Sequence, residues 1–196
     1  NMPIVFIDRE YSSERISSVI IDNKAGVEAG VEYLIKLGHR RIGYVHGVQN
    51  FDEKARYEAF LETMKKHDLE VEDKFLLNGY FEEAIAYGEM HRLLTRGGEV
   101  PDAFFSANDE MAWGLIRAMR NMGINVPDQV SVVGFDDSML APYYNPPLTT
   151  IHSPVVELGS RSATEVIRMV RKEGDAGTKI RLKPELVVRD SCKMAK

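Results

Sequence analysis

Two periodicities alternate along this chain, and that alternation limits what it can fold into more than any other feature. Short apolar runs rich in β-branched and aromatic residues lie at 4–7, 18–21, 42–45, 75–77, 103–105 and 130–133, and amphipathic stretches of helical length follow most of them. Strand-period and helix-period patterns that take turns in this way read as βαβ units. The runs are nearly continuous in apolar residues, which is what parallel strands need when right-handed helical crossovers cover both faces of their sheet. The helices carry their own punctuation. The first is predicted to start at the Asp22–Asn23 cap, to gather Val27, Val31, Leu34 and Ile35 on one face, and to stop at Gly38, whose missing Cβ suits a left-handed C′ position. The second carries Tyr57, Phe60, Leu61 and Met64, and the third runs from Glu82 to Arg96 before Gly97–Gly98. A fourth starts at Asn108–Asp109 and buries Ala112, Leu115, Ile116 and Met119 ahead of Gly123.

The last third changes character. Residues 143–147 hold two prolines, 148–152 read as a short strand, and Ser153–Pro154 supply an N-cap and first-turn proline for a long helix through Val155, Leu158, Ala163, Val166, Ile167 and Val170. A helix that follows a strand leaving the main sheet implies a second lobe. Only 191–196 reads as a loose tail.

Composition narrows the class. With 196 residues, 44% of them hydrophobic and 28% charged, the chain has the make-up of a soluble globular protein, and disorder and collagen are excluded. No stretch approaches the roughly 18 uninterrupted apolar residues of a membrane helix, and the start reads as a strand rather than a signal peptide. The single cysteine, Cys192, cannot form an internal disulfide and fits a reducing, cytoplasmic compartment. A net charge of −5 leaves no global basic field for phosphate backbones, so this stretch by itself is not expected to bind nucleic acid.

In an open α/β sheet, ligands bind beyond the carboxyl ends of the strands. The polar residues there are Asp8, His46 with the loop to Arg56, Tyr80–Phe81, Asn108–Asp109 and Asp136–Asp137. Carboxylates, an amide, a guanidinium and aromatic rings are the groups that hold a polyhydroxylated ligand. Each also has a bland explanation. Asp109–Glu110 complement a helix dipole, Asp136–Asp137 suit a turn, the two rings suit a core, and Arg56 can pair with Glu53 or Glu58 on a solvated helix face. Their common placement at strand ends is what favours a site. No phosphate loop, GxGxxG or GxSxG occurs, and the histidines at 39, 46, 67, 91 and 152 lack metal spacing and read as surface or loop residues. A metal-dependent hydrolase using Asp8, Asp136 and Asp137 remains as a minor alternative.

Five ordered runs then carry a resemblance: Ser18–Asn23 (SVIIDN), Leu37–Gly43 (LGHRRIG), Ser106–Gly114 (SANDEMAWG), Val132–Asp137 (VVGFDD) and Pro146–Ile151 (PPLTTI). In order and spacing they resemble the effector-binding region of LacI/GalR-family bacterial transcriptional regulators, over essentially the whole chain. The resemblance implies an α/β, periplasmic-binding-protein-like, two-lobed fold with parallel sheets, its N-terminal lobe incomplete. Residues 1–22 and 154–181 would be the remnant of that lobe and 23–153 with 182–191 the C-terminal lobe, joined by crossings near Asp22–Asn23, His152–Ser153 and Leu182–Lys183. It also implies that Arg56, Asn108 and Asp136 contact the effector, with Asp8 and Phe81 matching less strictly. The loop from Val48 to Glu53 departs from the family pattern. A non-catalytic, cofactor-free allosteric domain is expected, which takes a sugar or sugar derivative, forms a homodimer and reaches operator DNA only through a missing N-terminal helix-turn-helix. The alternative is a secreted periplasmic sugar-binding protein that serves a transporter.

Overall fold

The computed structural model describes residues 2–11, 13, 15–173 and 177–195, so parts of the expected first-lobe ranges (positions 1, 12, 14 and 174–176) and the last tail residue lie outside it. Among the described residues nine strands and five α-helices follow one another as β1 Ile4–Ile7, β2 Ile16–Ile21, α1 Asn23–Lys36, β3 Ile42–His46, α2 Phe51–Lys66, β4 Leu76–Asn78, α3 Glu83–Thr95, β5 Ala103–Ser106, α4 Asp109–Asn121, β6 Ser131–Asp136, β7 Thr149–His152, α5 Val155–Arg171, β8 Lys179–Leu182 and β9 Glu185–Val187. They form two sheets. One has three strands in the order β1-β2-β8, and the other has six in the order β4-β3-β5-β6-β7-β9. Every neighbouring pair is parallel except the last, β7 with β9.

The larger sheet is a layered α/β core. Helices α1 and α2 pack on each other over one face, and α3 and α4 pack on each other over the opposite face. Between them Tyr44, Phe104, Phe105 and Phe135 are fully buried, as the continuous apolar runs require. The punctuation predicted from sequence holds at its ends: the Asp22 side chain accepts from the Ala25 N–H, and Gly38 lies at φ +97°. Where the chain passes from one sheet to the other it does so after β2, after β7 and after β8.

Helix α5 turns Leu158, Ser162 and Glu165 inward and leaves Val155, Val156, Ile167 and Val170 exposed. On the inward side Glu165 accepts from the Ser17 hydroxyl (2.7 Å) and the Thr178 hydroxyl and pairs with Arg168, tying α5 to β2 and to the residue before β8. Two local expectations are corrected. Ser153 does not cap α5; Pro154 occupies the N-cap, and the Ser153 hydroxyl is buried without a partner. The supposed tail is packed down to Ala195: the Ser191 hydroxyl donates to Val132 O (2.6 Å) and the Ala195 N–H to Leu37 O (2.8 Å).

Candidate functional site

The carboxyl ends of β3, β4, β5, β6 and β7 lie along one rim of the larger sheet, facing the end of β1 at Asp8. Arg56 is the hub of this rim. It projects from α2 toward the sheet and is only 8% exposed, so the solvated-face explanation fails. Glu53 is engaged by His46 (3.0 Å) and Glu58 by Lys54 (3.8 Å), and neither reaches Arg56. Instead Arg56 Nε donates to Asn23 Oδ1 (2.8 Å) and Nη1 donates to Ala107 O (2.5 Å). Its guanidinium lies 3.8 Å from the centre of the Phe135 ring, and Nη2 is 3.6 Å from Asp136 Oδ1. A planar fork can serve all these partners at once; an ammonium cannot.

Around this single cation stand three carboxylates. Asp136 ends β6 at φ +107°, and its carboxyl is pushed up to about 6, first by burial and then by the charges of Asp52, Glu110 and Asp8, against the pull of Arg56. Asp8 sits at φ +55°, and its carboxyl is raised by burial and by Asp52, with Arg56 opposing. Asp52 accepts from Asn23 Nδ2 (2.7 Å), which closes a chain Asp52–Asn23–Arg56–Asp136 across the first passage between the sheets. Asp8, Asp52, Gln49, Asn50 and Phe51 line a cleft of about 920 Å3 there.

The structure therefore brings Arg56, Asp136 and Asp8 together. Asn108 and Phe81 form a neighbouring pair with mostly internal duties. Asn108 caps α4 by accepting from the Met111 N–H (2.9 Å), and its amide donates to Phe81 O (3.3 Å). The outer end of the Phe81 ring abuts Gly47, where any side chain would collide with it, and its residue is held at φ +65°. Asp109 and Asp137 are structural. Asp109 is 1% exposed and accepts from Thr150 Oγ1 (2.5 Å) and the Ser138 N–H (2.6 Å), with its carboxyl pushed up to about 7 by burial. Asp137 has one oxygen on Arg189 (2.6 Å) and the other on His152 (3.0 Å), so it cannot join Asp8 and Asp136 in a metal centre. Among the described residues no cluster of three or more His, Cys, Asp or Glu could hold a metal ion. Burial pushes the Cys192 thiol up to about 12.

Sequence reasoning missed Asn23 as a bridge and Asp52 altogether. Asp52 lies in the stretch that departs from the family pattern, yet its position four residues before Arg56 places both on one helix face, a signal available in the sequence. The histidine assignment also needs revision. His39 is 4% exposed and its Nε2 lies 2.9 Å from Lys193 O, while His46 is half-buried at the end of β3.

The fold and this cleft define a class. The family model for the periplasmic binding protein-like domain matches residues 31–192. The chain belongs to this family. It is 30% identical over 192 residues to the probable transcriptional repressor ExuR of Bacillus subtilis, covering 97% of this chain but 57% of that protein. The lac repressor dimer bound to operator and the anti-inducer ONPF superposes with a TM-score of 0.89 at 27% identity, covering 98% of this chain and 66% of that one. The cellobiose complex of the regulator CelR gives a TM-score of 0.86 at 31% identity, covering 95% of this chain and 58% of that one. The chain thus spans little more than half the length of the curated relatives it matches. Those relatives are transcriptional repressors.

Proposed function

We propose that this chain is the effector-binding region of a LacI/GalR-type repressor, and that the cleft around Arg56 takes a small polyhydroxylated ligand, a sugar or sugar derivative. The observation that carries this is the hub itself: one buried guanidinium, fixed by groups on both sides of the passage between sheets, with the acceptor-rich side chains Asp8, Asp52 and Asp136 about it. Carboxylates accept from paired hydroxyls, and the Arg56 charge opposes the burial that raises Asp8 and Asp136. We assign Asn108 and Phe81, linked by the Asn108 amide to Phe81 O, to the edge of this site, with the ring for the apolar face of a sugar.

On this reading 1–22 with 154–181 and 23–153 with 182–191 move as two lobes, and a ligand that touches both favours one lobe arrangement by its differential affinity. The whole protein would act in the cytoplasm as a homodimer that passes this change to a DNA reader. The solved lac repressor dimer on operator supports that assembly by likeness. The test is a fluorescence-anisotropy titration of operator with the full-length protein, with and without sugars that the chain binds in calorimetry. The expected result is a shift in operator affinity equivalent to about 1–3 kcal/mol of coupling. Operator binding that no bound sugar shifts would overturn the allosteric role.

A further inference from the structure

The amino ends of β3, β5 and β6 lie at the opposite end of the larger sheet from the cleft. A recess of about 350 Å3 opens there between the end of α1, the turn 126–129 and the last described residues of the chain. His39, Asp102, Pro127, Gln129, Met194 and Ala195 are among its walls, and it shares no lining residue with the cleft.

One buried atom in these walls lacks a partner. His39 is 4% exposed, its backbone N–H donates to Leu34 O (3.2 Å), and its Nε2 lies 2.9 Å from Lys193 O. A carbonyl oxygen only accepts, so Nε2 carries the ring proton and Nδ1 is left with a lone pair. Among the described residues no donor reaches Nδ1. Burial lowers the pKa of this ring, against the pull of Lys193 O and Asp102, so Nδ1 stays an acceptor at neutral pH. A buried acceptor without a donor is costly, and the recess is the side from which a donor can come.

Asp102 is the second acceptor. The N–H groups of Arg40 (3.2 Å) and Arg41 (3.0 Å) both land on its Oδ2, so Oδ1 can take a further donor. The neighbouring cations are engaged elsewhere. Lys193 Nζ lies 2.5 Å from Asp128 Oδ1, Arg40 Nη1 donates to Ile35 O and His39 O (both 3.1 Å), and Arg41 pairs with Glu72 and Glu99. None of the three lines the recess. The Gln129 side-chain oxygen is also taken, by the Asn125 N–H (2.9 Å). The end of α1 beside His39 adds the negative pole of a helix dipole. Acceptors and negative charge therefore border a space whose other walls, Pro127, Met194 and Ala195, are apolar.

We propose that this recess is a second ligand site, separate from the effector cleft, and that it takes a small alkylammonium ion. The N–H groups of the cation donate to His39 Nδ1 and Asp102 Oδ1, and its short stem lies against Pro127 and Met194. An ammonium brings three donors and a charge, so one head group serves both acceptors with charge-assisted hydrogen bonds. Met194 is 72% exposed, and this wall yields easily as the head group reaches the buried ring nitrogen. The volume lies at the low end for small-ligand sites, about 300–1,000 Å3, which suits a molecule of a few heavy atoms.

The test follows the His39 ring by nitrogen NMR and affinity by calorimetry, with this chain and four probes of similar size. These are n-butylammonium, tetramethylammonium as a charge without donors, n-butanol as a donor without charge, and butyrate as an anion. Butylammonium at millimolar concentration is expected to move the Nδ1 signal toward that of a hydrogen-bonded acceptor and to leave the Asp8 and Asp136 signals in place. It should bind about tenfold or more tightly than each of the other three. Asp102→Asn should weaken it about tenfold, and Met194→Ala, at an exposed position that leaves the fold intact, should weaken it severalfold through loss of the stem contact. An Nδ1 signal that no probe moves, as when a fixed water already donates to it, would overturn the site. So would butanol, tetramethylammonium or butyrate binding as tightly as butylammonium, or amine affinity unchanged in both variants. Shifts at Asp8 and Asp136 without a shift at His39 would place the amine in the cleft and overturn the recess.

Discussion

Asp136→Asn separates the site from the scaffold, and its sign can be worked out in advance. In the folded chain the Asp136 carboxyl titrates at about 6, against 3.8 for an ordinary aspartate, because burial and the neighbouring Asp52, Glu110 and Asp8 charges outweigh Arg56. A raised acid holds its proton in the folded state over a pH range where the unfolded chain has released it. Stability therefore falls as pH rises from about 4 to about 6, and the penalty is fully present above that window. A gap of about two units corresponds to ~3 kcal/mol. The side chain is 44% exposed, however, and solvent screening reduces the penalty to about 1 kcal/mol. Asparagine keeps the shape and the tolerance of positive φ but removes the charge. Arg56 loses little, since Asp136 stands 3.6 Å away while Asn23 and Ala107 hold the guanidinium directly. Urea unfolding followed by circular dichroism should show the variant about 1 kcal/mol more stable than the wild type at pH 8 and equal to it at pH 4. Its affinity for whichever neutral sugar the wild type binds should fall roughly ten- to hundredfold, the worth of one charged hydrogen bond. Destabilisation at pH 8 would mean that Asp136 serves mainly as the partner of Arg56. Unchanged sugar affinity would remove it from the site.

Other substitutions probe the same framework. Arg56→Ala strips two hydrogen bonds and the Phe135 stack at once and should cost about 3–5 kcal/mol in urea unfolding, while Arg56→Lys recovers less than half of that because it lacks the fork; full recovery by lysine would refute the geometric role. Asp109→Asn should flatten the loss of stability between about pH 4 and about pH 7 that follows from a buried carboxyl titrating at about 7, and an unchanged slope in urea unfolding across that window would refute it. Gly47→Ala places a methyl group inside the Phe81 ring, so calorimetry should show weaker sugar binding, with an overpacking cost in urea unfolding of about 1–3 kcal/mol; sugar affinity equal to that of the wild type would remove the Phe81 ring from the site.

Much of this molecule was legible before any coordinate. The alternation of strand and helix periods dictated a parallel α/β core, because only covered parallel strands use near-continuous apolar runs such as Phe104–Phe105 and Val132–Val133. Caps were legible for the same local reason, as at Asp22, Gly38 and Asn108, where a side chain or a missing Cβ acts on its own few neighbours. Strand ends also located the rim, since chain direction in a parallel sheet brings those ends together.

What the sequence could not settle was which rim residues face the cleft and which are consumed by the scaffold. Asp136 and Asp137 are adjacent and chemically identical, yet one joins Asp8 and Asp52 around Arg56 while the other is locked to Arg189, 52 positions away, and His152. The inward side of α5 was hidden for a related reason. Periodicity locates an apolar face, but Glu165 on the inward side is held by Ser17 of β2, 148 positions away, and by Thr178 just before β8. Patterns within one helix or strand record local preference. The competition for a buried donor or acceptor is resolved only when tertiary structure brings in the partners, because an unsatisfied polar group costs more than an exposed valine.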